Sequence, residues 1–187
     1  AIGISEPTLI RFCKALGFSG YQEFKINLSQ QLAAAYPANK AAIISNTSSY
    51  QSQIATTSDS VQSILEAITP EHRLVITTHD ALSYFARKFG MRVQTLQGAS
   101  TVSEFGLREI TELVDFICDN KVPAIFLENI VSPQAMESVQ RGCKDKGFNV
   151  VLGPELLSDS LGPEADQDTY LEMLLFNALL LKTYLAS

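Results

Sequence analysis

The stretch LVITTHDALSYFARKFG, from Leu74 to Gly90, decides the fold. A short apolar and β-branched run leads into a histidine, and an amphipathic helical pattern follows it at once. A strand that runs directly into a helix is the unit from which α/β proteins with parallel sheets are built. The ends of such strands are also where these proteins hold their ligands. The position of His79, one of only two histidines in the chain, therefore needs an explanation.

The same alternation of strand and helix patterns continues to the end of the chain. Short apolar runs predict strands at residues 73–78, 92–97, 122–128 and 148–153. Helical patterns lie between them, and a long apolar helix pattern closes the chain at 168–185. Repeated units of this kind predict an α/β fold with one four-stranded, mainly parallel sheet and helices on both faces.

The first part of the chain has a different character. Residues 1–35 predict a small helical segment made of two short helices, the first of which is capped by Ser5 and ended by Gly17. A break from Tyr36 to Asn39 interrupts the helical pattern. We therefore expect a helical segment at 1–35, a linker at 36–45 and the α/β domain at 46–187.

Composition narrows the classes of function. The chain has 187 residues, 46% of them hydrophobic, and a net charge of −6, which argues against a broad nucleic-acid surface. No apolar run approaches the ~20 residues that a membrane-spanning helix needs. The three cysteines form no CxxC pair, and we expect them to be reduced, buried thiols. No serine or cysteine lies in a nucleophile-elbow motif, so the sequence does not predict an enzyme.

Polar side chains gather at the predicted carboxyl ends of all four strands. They are Thr77, Thr78, His79 and Asp80; Gln97, Ser100, Thr101, Ser103 and Glu104; Glu128; and Glu155, Ser158 and Asp159. An imidazole nitrogen together with carboxylate oxygens suits a divalent ion such as manganese, zinc or iron(II). The sequence therefore predicts a divalent-metal site at this edge of the sheet.

Each of these residues also has a simpler interpretation that the sequence leaves open. A lone histidine at a strand end is more often a hydrogen-bonded structural residue than a ligand, and Asp159 would also serve as the cap of a turn. Asp80 is placed to cap the helix that follows it. Glu128 follows a buried strand, where it would either support the site or accept hydrogen bonds from the backbone.

Three motifs, all in one order, carry a family resemblance. They are THDALSYFARKFG, QGASTVSE and LLSDSLG, and together they resemble the carboxy-terminal lobe of cluster A-I substrate-binding proteins of ABC transporters. The similarity covers about residues 46–187. It implies a receptor for manganese, zinc or iron that lies in the periplasm or elsewhere outside the cytoplasm. It also implies a membrane permease as the partner.

The resemblance assigns roles to particular residues. In this family the metal lies between two lobes and is bound by two side chains from each lobe. The carboxy-terminal lobe supplies the histidine of the THDA motif, here His79, and the aspartate of the SD motif, here Asp159. Glu104 and Glu128 correspond to supporting residues near the metal. Since two of four ligands are identified here, we expect metal affinity on the order of micromolar or weaker, with zinc bound better than manganese.

The first 32 residues carry a second resemblance. GISEPTLIRFCKALGFSGYQEFKINLSQQL is similar to the end of the helix-turn-helix domain of RpiR-type transcription regulators. In that pattern Ser5, Thr8 and Arg11 face DNA, whereas Phe12, Leu16 and Phe18 belong to the core. The alternative hypothesis is therefore a cytoplasmic, DNA-binding regulator whose α/β domain senses metal.

Overall fold

The structure, a computed structural model, describes residues 12–19, 21–96, 107–128, 133–158 and 160–186. The chain divides into two compact units, Ala1–Thr56 and Thr57–Ser187. The predicted site residues Ser5, Thr8, Arg11, Glu104 and Asp159 lie outside the described residues.

The first unit is helical where it is described. Helix α1 spans Tyr21–Ala35, a short 3-10 helix spans Pro37–Asn39, and helix α2 spans Lys40–Glu66 and so runs past the division between the units. The segment predicted as a linker thus contains the 3-10 helix and the start of α2, while the predicted domain boundaries themselves stay a prediction. Of the three predicted core residues, Phe12 and Leu16 are about half exposed, at 51% and 52%, which does not fit a core position. Phe18 is partly buried, and its ring contacts that of Phe24.

The second unit contains all four predicted strands. They are β1 at Leu74–Thr77, β2 at Arg92–Thr95, β3 at Ala124–Glu128 and β4 at Val151–Leu156. The helices are α3 at Ser83–Phe89, α4 at Leu107–Asp119, α5 at Gln134–Asp145 and α6 at Tyr170–Leu185. The chain is therefore a mixed α/β protein with more helix than strand in its described part.

The strands pair in parallel, as predicted, but in two sheets of two strands. β1 pairs with β2 from Leu74 opposite Arg92, and β3 pairs with β4 from Ala124 opposite Val151. The prediction of one four-stranded sheet is therefore not confirmed. β1 and β3 are nevertheless close neighbours. The carboxyl ends of these two strands meet through the Glu128 side chain described below.

Strand β4 begins three residues later than predicted, and the preceding helix end explains why. Gly147 has a φ of +82°, and the N–H of Phe148 donates to the Cys143 carbonyl. This hydrogen bond caps α5, so Phe148 is not available for strand pairing. Further along, the register moves from Gly153 to Glu155 and passes over Pro154, which has no N–H to donate.

Helices cover both faces of the strands. Val75 and Phe126 pack into one hydrophobic cluster with α3, α6 and the end of α2, whereas Ile76 and Ile125 face a second cluster with α4 and α5. Successive strand residues point to opposite faces, so each strand contributes to both clusters. Packing between the two clusters holds in place the carboxyl ends of β1 and β3, which carry His79 and Glu128.

Candidate metal-binding site

The end of β1 turns sharply to present His79. Thr77 and Thr78 are buried, and the Thr77 hydroxyl donates a 2.8 Å hydrogen bond to the backbone carbonyl of His79. The side chain of His79 is 21% exposed, so its ring lies at the protein surface without being fully solvated. The local hydrogen bond holds the turn that aims this ring.

Glu128, the last residue of β3, binds this turn from the neighbouring strand. Its Oε2 accepts 3.0 Å hydrogen bonds from the backbone N–H groups of Thr78 and His79. The same oxygen lies 2.8 Å from Nδ1 of the His79 ring. One carboxylate oxygen therefore fixes both the backbone and the side chain of His79, and Glu128 is only 1% exposed.

This contact determines which ring nitrogen can bind a metal. A carboxylate oxygen only accepts hydrogen bonds, so Nδ1 carries the proton and donates to Glu128. In the neutral ring the lone pair then lies on Nε2, the nitrogen on the side away from the buried carboxylate. A histidine whose other nitrogen donates to a carboxylate is the usual arrangement of a metal-binding imidazole.

The second oxygen of Glu128 adds to the case for a charged site. Glu128 Oε1 is buried and has no hydrogen-bond partner among the described residues. A buried polar atom in that state normally indicates a structural or functional requirement for the group. The carboxylate bound to Nδ1 of the His79 ring supplies negative charge to the imidazole, which would receive a cation at its other nitrogen, Nε2.

Asn177 on α6 holds the loop that leads to Asp159. Its Oδ1 accepts from the Leu157 N–H at 2.9 Å, and its Nδ2 donates to the Leu157 carbonyl at 2.7 Å. Asn177 is 2% exposed, and it stands in the apolar run LLFNALLL. The sequence pattern alone does not predict this role, although a lone amide in an apolar helix is a signal of a buried polar contact.

The structure brings together two of the predicted site residues, His79 and Glu128. Asp80 and Glu155 are exposed, and α3 begins only at Ser83, with no side-chain cap on its N-terminus. His72 lies at the other end of β1, where its Nδ1 is 3.2 Å from the Leu185 carbonyl. Gln97, Ser100, Thr101, Ser103, Glu104 and Asp159 lie outside the described residues.

Within the described parts of the chain, no group of three or more histidine, cysteine, aspartate or glutamate side chains is arranged to hold a metal. No helix in those same parts is both long and apolar enough to cross a membrane.

The described geometry is that of an α/β lobe with a carboxylate-oriented histidine at its strand ends. A family model described as zinc-uptake complex component A, periplasmic, matches residues 20–184, and the chain belongs to this family. A second model, the helix-turn-helix domain of the rpiR family, matches residues 1–35. The two matches overlap at residues 20–35, so the metal-receptor match starts earlier than the predicted residue 46.

Individual proteins similar to this chain are also metal-binding proteins. The manganese-binding lipoprotein MntA of Bacillus subtilis is 32% identical over 141 residues, which is 75% of this chain and 46% of that protein. The zinc-binding protein TroA of Treponema pallidum is 35% identical over 129 residues, 68% of this chain and 42% of TroA. The chain thus spans less than half the length of either relative.

Solved structures give the same fold. The periplasmic zinc-binding protein TroA of Treponema pallidum superposes with a TM-score of 0.81 at 29% identity, covering 89% of this chain and 60% of TroA. A manganese-bound periplasmic metal-binding protein of Candidatus Liberibacter asiaticus, an S38A mutant, has a TM-score of 0.73 at 24% identity over 88% of this chain and 59% of its own. At 24% identity, the similarity to this second structure shows a shared fold and nothing further.

Proposed function

We propose that this chain provides a metal-binding lobe of an ABC-transporter solute-binding protein, with manganese or zinc as its cargo. The observation that carries the proposal is the bond from His79 Nδ1 to Glu128, which orients the imidazole as in a metal site. The family match and the names of MntA and TroA support manganese and zinc. Iron as a further cargo is supported only by the resemblance of the sequence motifs.

In this proposal His79 and Asp159 bind the metal ion directly, His79 through Nε2 and Asp159 through a carboxylate oxygen. Glu128 acts through His79, because it fixes the tautomer and the direction of the ring. Glu104 is a further supporting residue on the evidence of the QGASTVSE motif alone. A nitrogen donor combined with a hard oxygen donor suits zinc and manganese, with zinc favoured by the general order of affinities.

The wider biological role follows from the same proposal. A solute-binding protein delivers its cargo to a membrane permease, and it does so outside the cytoplasm. Two similar proteins, one a lipoprotein and the other a periplasmic binding protein, support that location. Both are binding proteins, which favours binding over catalysis for this chain as well.

Calorimetric titration with Mn²⁺ and Zn²⁺ tests the ligand assignment. We expect His79→Ala and Asp159→Ala each to abolish binding, while circular dichroism shows that both variants remain folded. His72→Ala is the matched control, since it removes the other histidine at the opposite end of β1. Unchanged affinity in both His79→Ala and Asp159→Ala would show that the metal binds elsewhere.

A DNA-binding regulator is the second candidate, favoured by the rpiR-family match at residues 1–35. Under that alternative Ser5, Thr8 and Arg11 would contact DNA. Phosphate contacts dominate affinity for DNA, so a regulator would retard generic duplex DNA in a mobility-shift assay at low salt. Under the leading proposal no shift is expected.

A further inference from the structure

Two cysteines, Cys118 on α4 and Cys143 on α5, belong to the hydrophobic cluster between these two helices. Cys143 is completely buried in the hydrophobic cluster that α4 and α5 share, and Cys118 packs partly buried against that cluster. The Cys118 side chain lies near enough to contribute, after burial, to the raised pKa of the Cys143 thiol. Both cysteines are reduced in the structure.

Two further contacts bring the helices close together at this point. A Cβ added to Gly142, the neighbour of Cys143, would lie 2.7 Å from Cγ2 of Val114, one helical turn before Cys118. Only glycine allows so close an approach. Lys146 and Asp115 form an ion pair between the same two helices. A disulfide needs Cα atoms about 4.4–6.8 Å apart, a separation that side chains reach only between closely packed backbones.

The two thiols differ in reactivity. Burial, together with the neighbouring Cys118, raises the pKa of the Cys143 thiol to about 12. Cys118 is only partly buried and is therefore the thiol that an external reagent reaches first. The thiolate is the reacting form, and the raised pKa of Cys143 keeps that thiol protonated. Cys118 therefore attacks first and Cys143 second.

We propose that Cys118 and Cys143 form an intrachain disulfide through exchange with a low-molecular-weight disulfide such as oxidised glutathione. The Cys118 thiolate attacks one sulfur of that disulfide, which breaks its S–S bond, forms a mixed disulfide and releases one thiol. The Cys143 thiol then attacks Cys118 Sγ, which breaks the mixed disulfide, and its proton passes to the departing thiolate, which leaves as the second thiol. Two protein thiols are oxidised, and the external disulfide is reduced to two thiols.

The bond would close a loop that contains β3 and its terminal Glu128. Closing a loop of this length stabilises the folded state mainly by restricting the unfolded chain. We expect the oxidised chain to unfold at a temperature about 5–10 °C above that of the reduced chain. This inference does not depend on metal binding, although an extracytoplasmic location would favour the oxidised state.

Mass spectrometry of the full chain tests the proposal. The chain is incubated with oxidised glutathione or with dithiothreitol, then denatured, alkylated and digested with trypsin. We expect peptide 109–121 to be linked to peptide 142–144 in the oxidised sample and not in the reduced one. Recovery of both cysteines in alkylated form, or of Cys118 only as a glutathione adduct, would overturn the proposal.

Single variants test the order of attack. In Cys143→Ser, Cys118 should accumulate as the glutathione adduct, because no second thiol displaces the glutathione. In Cys118→Ser, the buried Cys143 should stay free to be alkylated after denaturation. Equally fast adduct formation at Cys143 would contradict the assignment of Cys118 as the attacking thiol. Neither variant should show the rise in unfolding temperature on oxidation.

Discussion

The carboxylate of Glu128 and the ring of His79 form one unit, joined by a 2.8 Å hydrogen bond between Oε2 and Nδ1. The same oxygen also accepts from the backbone N–H of His79. Position, tautomer and direction of the imidazole are therefore all fixed by a residue on another strand. This relationship separates two roles of Glu128, one in orienting His79 and one in satisfying buried backbone donors.

Glu128→Gln tests the first of these roles. The amide oxygen can still accept from the backbone N–H groups of Thr78 and His79, but the charge that orients the imidazole is lost. We expect metal affinity to fall by about 10–100-fold with little change in unfolding temperature. Calorimetric titration and thermal unfolding of the same samples provide the measurement. An unchanged affinity would mean that Glu128 does not act through His79.

Glu128→Leu tests the second role. It keeps the approximate volume but leaves the N–H groups of Thr78 and His79 without their acceptor. We expect a loss of about 1–3 kcal/mol in the free energy of unfolding, since a buried donor left unpaired loses its solvation. Denaturant unfolding measures this loss. Glu128→Gln serves as the control and should lose less stability than Glu128→Leu.

Asn177→Leu removes the clamp on Leu157. Both the N–H and the carbonyl of Leu157 are buried and bind the Asn177 side chain, so the variant leaves two polar groups unpaired. We expect a loss of about 2–5 kcal/mol in the free energy of unfolding by denaturant. Exposed Asn149→Leu provides a matched control and should change stability by less than about 0.5 kcal/mol. Equal effects in the two variants would contradict the clamp.

Gly153→Ala tests the close packing of β4 on β3. A Cβ at this position would lie 2.8 Å from two ring carbons of Phe126, which is fully buried. We expect the variant to lose about 1–3 kcal/mol of stability through overpacking. In a Phe126→Leu background the ring carbons that the new Cβ would contact are absent, so Gly153→Ala should destabilise the protein less. A double-mutant cycle measures this coupling, and strictly additive losses would rule out the contact as the cause.

Removing residues 1–39 should leave the second unit folded. The two hydrophobic clusters of that unit begin at Val61, and α2 remains whole in a 40–187 fragment. We therefore expect one cooperative thermal transition for the fragment. Absence of a cooperative transition would show that the first helices are required for the core of the second unit.

Much of the second unit could be predicted from local sequence pattern. Four short runs, among them those around Val75 and Phe126, predicted all four strands, because buried strands and amphipathic helices differ in period. The start and register of β4 could not be predicted in the same way. The hydrogen bond from Phe148 that caps α5 delays the start of β4, and the missing N–H of Pro154 shifts its register. Neither effect changes the spacing of apolar residues in the sequence. The sequence also predicted a single sheet, whereas the four strands pair as two sheets of two.

The candidate site was predicted in part, for a physical reason. His79 and Glu128 stand at strand ends, and parallel strands bring such ends to one edge, so their proximity follows from the fold class. The clamp of Asn177 on Leu157 depends on how α6 packs against the end of β4. The sequence pattern does not show which residue of α6 lies opposite Leu157. The role of Asn177 is therefore seen only in the structure.

The central claim is that His79 and Asp159 bind the cargo metal while Glu128 acts only through His79. Anomalous scattering from a crystal soaked in Mn²⁺ or Zn²⁺ tests it most directly. We predict a peak about 2.0–2.2 Å from His79 Nε2 and from a carboxylate oxygen of Asp159, with Glu128 still bound to Nδ1. A peak bound to other residues, with His79 and Asp159 both outside bonding distance, would contradict the account.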